Sequence, residues 1–215
     1  MKGDSIVIEP HHRAAAKSID RWLAGKGLPG PQRMVVTVAG ESGSGKSETA
    51  AALADVVAER NIRSLIFQQD DYFALPPRRN DRARREDIGW VGPQEVHLDL
   101  LNRHLEAFKR GETGLEKPLV DYGLDLVGSE QLELGGYQLA IAEGTYTSLL
   151  ASADVRVFID RDWQATRAHR ERRRRDASEL DPFIDQVLAI EHQIISGHRQ
   201  QADLVITDDF RVREN

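Results

Sequence analysis

The chain has 215 residues, 40% of them apolar and 30% charged, which suits one α/β domain that buries its own core. It has no cysteine, which excludes disulfides, thiolate metal sites and cysteine nucleophiles. The formal net charge of −6 argues against a general nucleic-acid binder. No signal-like apolar stretch opens the chain and no apolar run approaches the ~20 residues that cross a bilayer, so the expectation is a cytoplasmic protein with no membrane partner.

Residues 11–26 predict a helix with Ile19, Trp22 and Leu23 apolar, and Gly27, Pro29, Gly30 and Pro31 break it. Residues 1–33 therefore read as a helical extension packed on a domain that fills residues 34–215. Met34 to Ala39 is a short β-branched apolar run that predicts a buried strand. Gly40-Glu41-Ser42-Gly43-Ser44-Gly45-Lys46-Ser47 follows and fits the phosphate-loop pattern G-x-x-x-x-G-K-[ST]. Backbone N–H groups in such a loop face inward and form a concave anion site. Lys46 would reach the β- and γ-phosphates of ATP, and the Ser47 hydroxyl would hold Mg²⁺. An Ala-rich helix from Glu48 to Arg60 carries Leu53, Val56 and Val57 on one face, and Thr49 lies in its first turn beside the nucleotide. Strand, glycine loop and helix come in the required order, and the helix N-terminus adds positive potential at the phosphates.

Ser64 to Gln69 predicts the next strand, ending at Asp70-Asp71. A carboxylate at such a strand end can take a proton from a bound hydroxyl or serve Mg²⁺, whereas an Asx turn closing the strand is the plainer alternative. Residues 76–92 hold five arginines between Arg78 and Arg85 and read as a long loop, either solvated or facing an anionic acceptor. Pro93 is placed to start a helix running to about Arg110. Residues 117–122 and 131–134 predict short strands that can form a hairpin. Tyr137 to Ala142 predicts a clearer strand ending at Glu143-Gly144, where an acid can bind a Mg²⁺-coordinated water. Val155 to Asp160 predicts another strand, two helices follow over residues 163–176 and 182–198, and Leu204 to Thr207 closes the set. Seven arginines fall between Arg161 and Arg175, and Arg167, Arg170 and Arg174 share one helical face. A solvated basic face is the ordinary reading, and a lid that brings arginines onto phosphates is the other. The seven histidines show no metal-ligand spacing.

Strands alternating with helices imply a mostly parallel sheet covered on both faces, a P-loop three-layer sandwich with ligands at the strands' carboxyl ends. The order of Gly40 to Ser47, then Gln69-Asp70-Asp71-Tyr72-Phe73, then Glu143-Gly144, then Asp162 to Arg175 resembles the uridine kinase, phosphoribulokinase and pantothenate kinase superfamily over residues 34–207. The resemblance implies ATP-dependent phosphorylation of a small-molecule hydroxyl. It carries the general-base role to Asp70 rather than Asp71, with Asp70 also near the metal. It carries Mg²⁺ to Ser47 and Glu143, and phosphate contacts to Arg167, Arg170, Arg173 and Arg175. The departures concern the acceptor: Val91-Gly92-Pro93 and Pro118-Leu119-Val120-Asp121-Tyr122 replace the family's ribose and pyrimidine contacts. Asp71, Tyr72, Trp90, Asp121, Tyr122 and Tyr146 are the candidates for an acceptor pocket. The expected acceptor is a nucleoside-like or sugar-like metabolite. Another small alcohol, such as a phosphorylated sugar or a pantothenate-like compound, and a non-catalytic ATP-binding switch remain alternatives. Homo-oligomerisation is compatible with the sequence, and no nucleic-acid partner is expected.

Overall fold

The computed structural model describes residues 6–164, 166 and 181–215. Six strands form the main sheet: β1 (Met34–Gly40), β2 (Ser64–Gln68), β5 (Leu139–Glu143), β6 (Val155–Ile159), β7 (Leu204–Ile206) and β8 (Val212–Glu214). Their order is β2-β5-β1-β6-β7-β8, all parallel except the last pair. The remaining strands, β3 (Gly114–Asp121) and β4 (Leu126–Glu133), form a separate antiparallel hairpin. β1 and β5 are buried along nearly their whole length, which is why both read as continuous apolar runs rather than alternating ones.

Helices cover both faces. On one side α1 (Pro10–Gly25) and α2 (Lys46–Ala58) pack against Val36, Val38, Ile141 and Val157. Ile19 and Leu23 of α1 are fully buried there, so residues 10–25 share the main core. On the other side α4 (Leu98–Arg110) packs Leu101, Leu105 and Phe108 against Val35, Phe67 and Ala140. Ile195 at the end of α5 (Pro182–Ile195) joins this second cluster.

Three expectations change. The loop expected over residues 76–92 contains a helix, α3 (Pro77–Glu86). Pro77 sits at its first position, where a missing N–H costs nothing, and Asp81 pairs with Arg85 one turn on. The helix expected from Pro93 starts later. Pro93–Glu95 is a 3₁₀ turn, and Val96 stays extended to bridge Phe73 before α4 begins. The hairpin strands are longer than expected, and β8 was not foreseen. The helix expected over residues 163–176 lies largely outside the described residues.

Candidate active site

The strand register assembles the site. Val38 of β1 pairs with Glu143 of β5, and Glu143 pairs with Gln68 of β2. Just beyond that line the chain turns into the glycine loop, into Gly144 and into a short 3₁₀ turn, Gln69–Tyr72. The phosphate loop, Glu143 and Asp70 therefore meet at the carboxyl ends of three adjacent strands.

The loop depends on its glycines. Gly43 and Gly45 have φ of 75° and 99°, in the left-handed region. A Cβ on Gly40 would stand 2.9 Å from Ser44 Oγ and 3.0 Å from the Ile159 carbonyl oxygen. One on Gly45 would stand 3.0 Å from His12 Nε2, because α1 backs directly onto the loop. Lys46 opens α2, and its ammonium donates to the Glu41 carbonyl at 2.9 Å, folded across the loop. Ser47 Oγ donates to Glu143 Oε1 at 3.1 Å, and Glu143 is only 5% exposed. A hydroxyl beside a shielded carboxylate is a hard-oxygen pair that suits Mg²⁺. Together with the glycine loop and the start of α2, these residues fit a nucleotide polyphosphate and its magnesium. Thr49 and Ser44 are fully buried, and neither hydroxyl has a hydrogen-bond partner among the described residues.

Glu41 behaves unexpectedly. Its buried carboxylate accepts from the Trp163 backbone N–H at 2.5 Å and lies 2.6 Å from His192 Nδ1 on α5. Thr166 Oγ1 donates to the Ser42 carbonyl at 2.9 Å. The phosphate loop is thereby tied to both flanks of the Arg167 to Arg175 segment. Arg167, Arg170, Arg173 and Arg175 themselves lie outside the described residues.

The adjacent aspartates part company. Asp70 is half-buried at the start of the 3₁₀ turn. Asp71 is committed to the hairpin. It is 2% exposed, accepts from Lys117 Nζ at 2.7 Å and from the Val120 N–H at 3.2 Å, and so anchors the hairpin. Lys117 also meets Glu130 at 2.8 Å. Asp71 is thus occupied by the hairpin instead of opening toward an acceptor. Tyr72 is fully buried, and its hydroxyl lies 2.9 Å from His104 Nδ1. Burial, reinforced by Asp71, raises the Tyr72 pKa far above the ordinary phenol range, so the hydroxyl stays protonated in this contact. Tyr72 is a core residue in this structure, not a pocket wall.

The other acceptor candidates are spread out. Asp121 caps the hairpin turn by accepting from the Leu124 N–H at 3.0 Å, and Tyr122 beside it is 49% exposed. Trp90 is half-buried and donates through Nε1 to Asn80 Oδ1 at 2.9 Å. Tyr146 is 1% exposed; its backbone N–H donates to Gln69 Oε1 at 2.7 Å while its hydroxyl has no partner among the described residues. Gly144 makes this approach possible, since a Cβ there would stand 2.3 Å from Gln69 Cβ.

Sequence reasoning missed a buried ionic network beside these groups. Arg84 of α3 grips Glu95 with both Nε, at 2.8 Å to Oε1, and Nη2, to Oε2. Its Nη2 also lies 3.6 Å from Glu191 of α5. Glu191 stands on the same stripe as Val187, Leu188 and Ile195, and a lone carboxylate on an apolar helical stripe was the available signal. Glu95, fully buried after Pro93, offered no comparable signal. Burial raises the Glu191 pKa against the pull of Arg84, with Glu95 adding to the rise. Lys46 lowers and Asp70 raises the same pKa to a lesser extent.

Comparisons with known proteins agree with this geometry. Residues 35–209 match the model of the Phosphoribulokinase / Uridine kinase family. The chain is 28% identical over 193 residues to a uridine kinase of Geobacillus kaustophilus, covering 83% of this chain and 88% of that protein. It is also 28% identical over 210 residues to the bifunctional alpha-galactosidase/sucrose kinase AgaSK of Mediterraneibacter gnavus. That match takes in 92% of this chain but only 22% of the larger protein. Among solved structures, D-glycerate 3-kinase from Cryptococcus neoformans var. grubii shares the fold, with a TM-score of 0.63 at 12% identity over 96% of this chain and all of that one. Among the described residues no helix is long and apolar enough to cross a membrane. The glycine loop, the Ser47–Glu143 pair and the family match lead to one conclusion: the chain belongs to the Phosphoribulokinase / Uridine kinase family of P-loop small-molecule kinases.

Proposed function

We propose that the protein transfers the γ-phosphoryl group of ATP to a hydroxyl of a small sugar-like or nucleoside-like metabolite. The observation that carries this reading is Asp70, half-buried at the end of β2 and in line with the phosphate loop and Glu143. The Asp70 carboxylate takes the acceptor's proton as the acceptor oxygen attacks phosphorus, and the bond from phosphorus to the leaving oxygen of ADP breaks. Lys46 and the loop amides hold the phosphates and offset the negative charge that builds up between them. Ser47 and Glu143 are the residues that would hold Mg²⁺, which would supply charge neutralisation at the phosphates.

Two kinds of likeness support this class of acceptor. Curated relatives include a uridine kinase and a sucrose kinase, and a structural neighbour is a glycerate kinase. All three names denote phosphorylation of a hydroxyl on a small polar molecule. The test is ATP consumption against a panel of nucleosides, free sugars, glycerate, pantothenate and sugar phosphates. Acceptor-dependent ADP release with one member is expected. ATP binding without acceptor-dependent turnover across the panel would instead favour an ATP-binding switch.

A further inference from the structure

Resting on the kinase reading above, we infer that His192 is a positioning residue for the nucleotide, acting through the Glu41 carboxylate to hold the first half of the phosphate loop. Such a loop binds phosphates only while its backbone N–H groups keep one arrangement, so whatever fixes the loop sets the affinity. Gly43 and Gly45 supply the turns of its second half. The first half is held by side chains. Glu41, the second residue of the loop, is buried. One of its carboxylate oxygens accepts from the Trp163 N–H at 2.5 Å, and the other lies 2.6 Å from His192 Nδ1. A carboxylate has no proton to give, so Nδ1 is the donor that joins the two. Ser42 is held beside it, its carbonyl accepting from Thr166 Oγ1 at 2.9 Å. The Glu41 carbonyl accepts from Lys46 Nζ at 2.9 Å, so one residue meets the phosphate-binding lysine through its backbone and α5 through its side chain.

His192 is placed to set the loop without carrying the fold. It stands in the last turn of α5 with its side chain half-exposed, while Val187, Leu188 and Ile195 bury that helix. His192 and Glu41 also share the wall of a cavity of about 360 Å³ at the carboxyl end of β6, with Phe158, Asp160, Arg161 and Arg199. A nucleotide with its phosphates on the loop has this cavity as adjoining space. His192 could therefore serve ATP in two ways, by touching the nucleoside from the cavity wall or by fixing the loop through Glu41. The short Nδ1 contact to a buried loop carboxylate favours the second. Hydrogen bonds to charged groups are the strong ones, and losing one from a loop that must stay pre-organised weakens binding at the phosphates themselves.

The experiment measures dissociation constants for ATP and for inorganic triphosphate, which has no nucleoside, together with melting temperatures. The samples are wild type, His192→Ala, His192→Asn, Glu41→Ala and the double alanine variant, and no acceptor is needed. His192→Ala should weaken both ligands about 10-fold at an unchanged melting temperature. His192→Asn, whose amide N–H can stand where Nδ1 stood, should recover most of that loss. In the Glu41→Ala background, removing the imidazole should add less than about 2-fold, because the side chain it acts through is gone. A loss seen with ATP but not with triphosphate would mean direct contact with the nucleoside and overturns the inference. So does an equal penalty with and without the Glu41 side chain, a melting temperature that falls in step with affinity, or unchanged affinity in His192→Ala. Each of these leaves the kinase reading standing. A wild-type protein that binds neither ligand overturns both.

Discussion

At the scale of single residues, two neighbouring carboxylates have opposite fates. Nothing in the residue types separates Asp70 from Asp71. The 3₁₀ turn separates them, because successive side chains point about 120° apart in it. Asp71 goes to Lys117, and both side chains are 5% exposed or less. Breaking a buried pair leaves an uncompensated charge, so Lys117→Met should destabilise the protein by about 3–5 kcal/mol. Asp71→Asn with Lys117→Met together should cost clearly less, and chemical denaturation of the three variants checks the coupling. A second residue pair sets a pH dependence. Burial, then Arg103 and Lys117, lower the His104 pKa below its ordinary value, and its Nδ1 shares a hydrogen bond with the Tyr72 hydroxyl. The unfolded chain then takes up a proton at higher pH than the folded one. The neutral imidazole's contribution to stability is thus present above about pH 6.5 and is lost as pH falls below it. Thermal melts of His104→Gln should show a shallower loss between pH 7 and pH 5 than wild type.

At the scale of elements, Gly144 joins β5 to the turn that carries Tyr146. With φ of 156° and Gln69 Cβ 2.3 Å from any added Cβ, Gly144→Ala should cost roughly 2–4 kcal/mol by strain and overpacking. A lowered denaturation midpoint with an unchanged slope checks it. The elements differ in how plainly the sequence announces them. β1, the glycine loop and α2 were legible because their signals are local: a β-branched run, glycines at fixed spacing, and an apolar face. α3 was not legible because its ten residues, Pro77–Glu86, turn only the polar Asn80 and Arg84 inward and have no apolar stripe. Its support is tertiary, from Arg84 to Glu95 and from Arg85 to Asp181. That support joins segments distant in sequence, which is why Asp70 and the phosphate-loop residues could be named from sequence while Arg84 and Glu95 could not. Arg84→Met should leave Glu95 buried without its cation and destabilise by about 3–5 kcal/mol, visible as an early loss of α3 protection in hydrogen exchange.

At the scale of the whole molecule, the parallel sheet does two jobs. It buries β1 and β5 from both sides, and it delivers Gly40, Gln69 and Gly144 to one edge. The extension at residues 10–25 belongs to that architecture, since Ile19 and Leu23 complete the core under α2 and His12 backs the phosphate loop. Opposite them, Glu41 links the loop to Trp163 and to His192 of α5, so the nucleotide site and the flanks of the arginine-rich segment are one connected body. The central claim is that this body positions Asp70 for chemistry and not for ATP binding. The most direct measurement is single-turnover phosphoryl transfer in wild type and Asp70→Asn, with the ATP dissociation constant measured on the same samples. The account predicts a rate lowered by about 10²–10⁴ with the ATP dissociation constant unchanged within about 3-fold. A variant that keeps the wild-type rate, or that loses ATP affinity in step with rate, would contradict it.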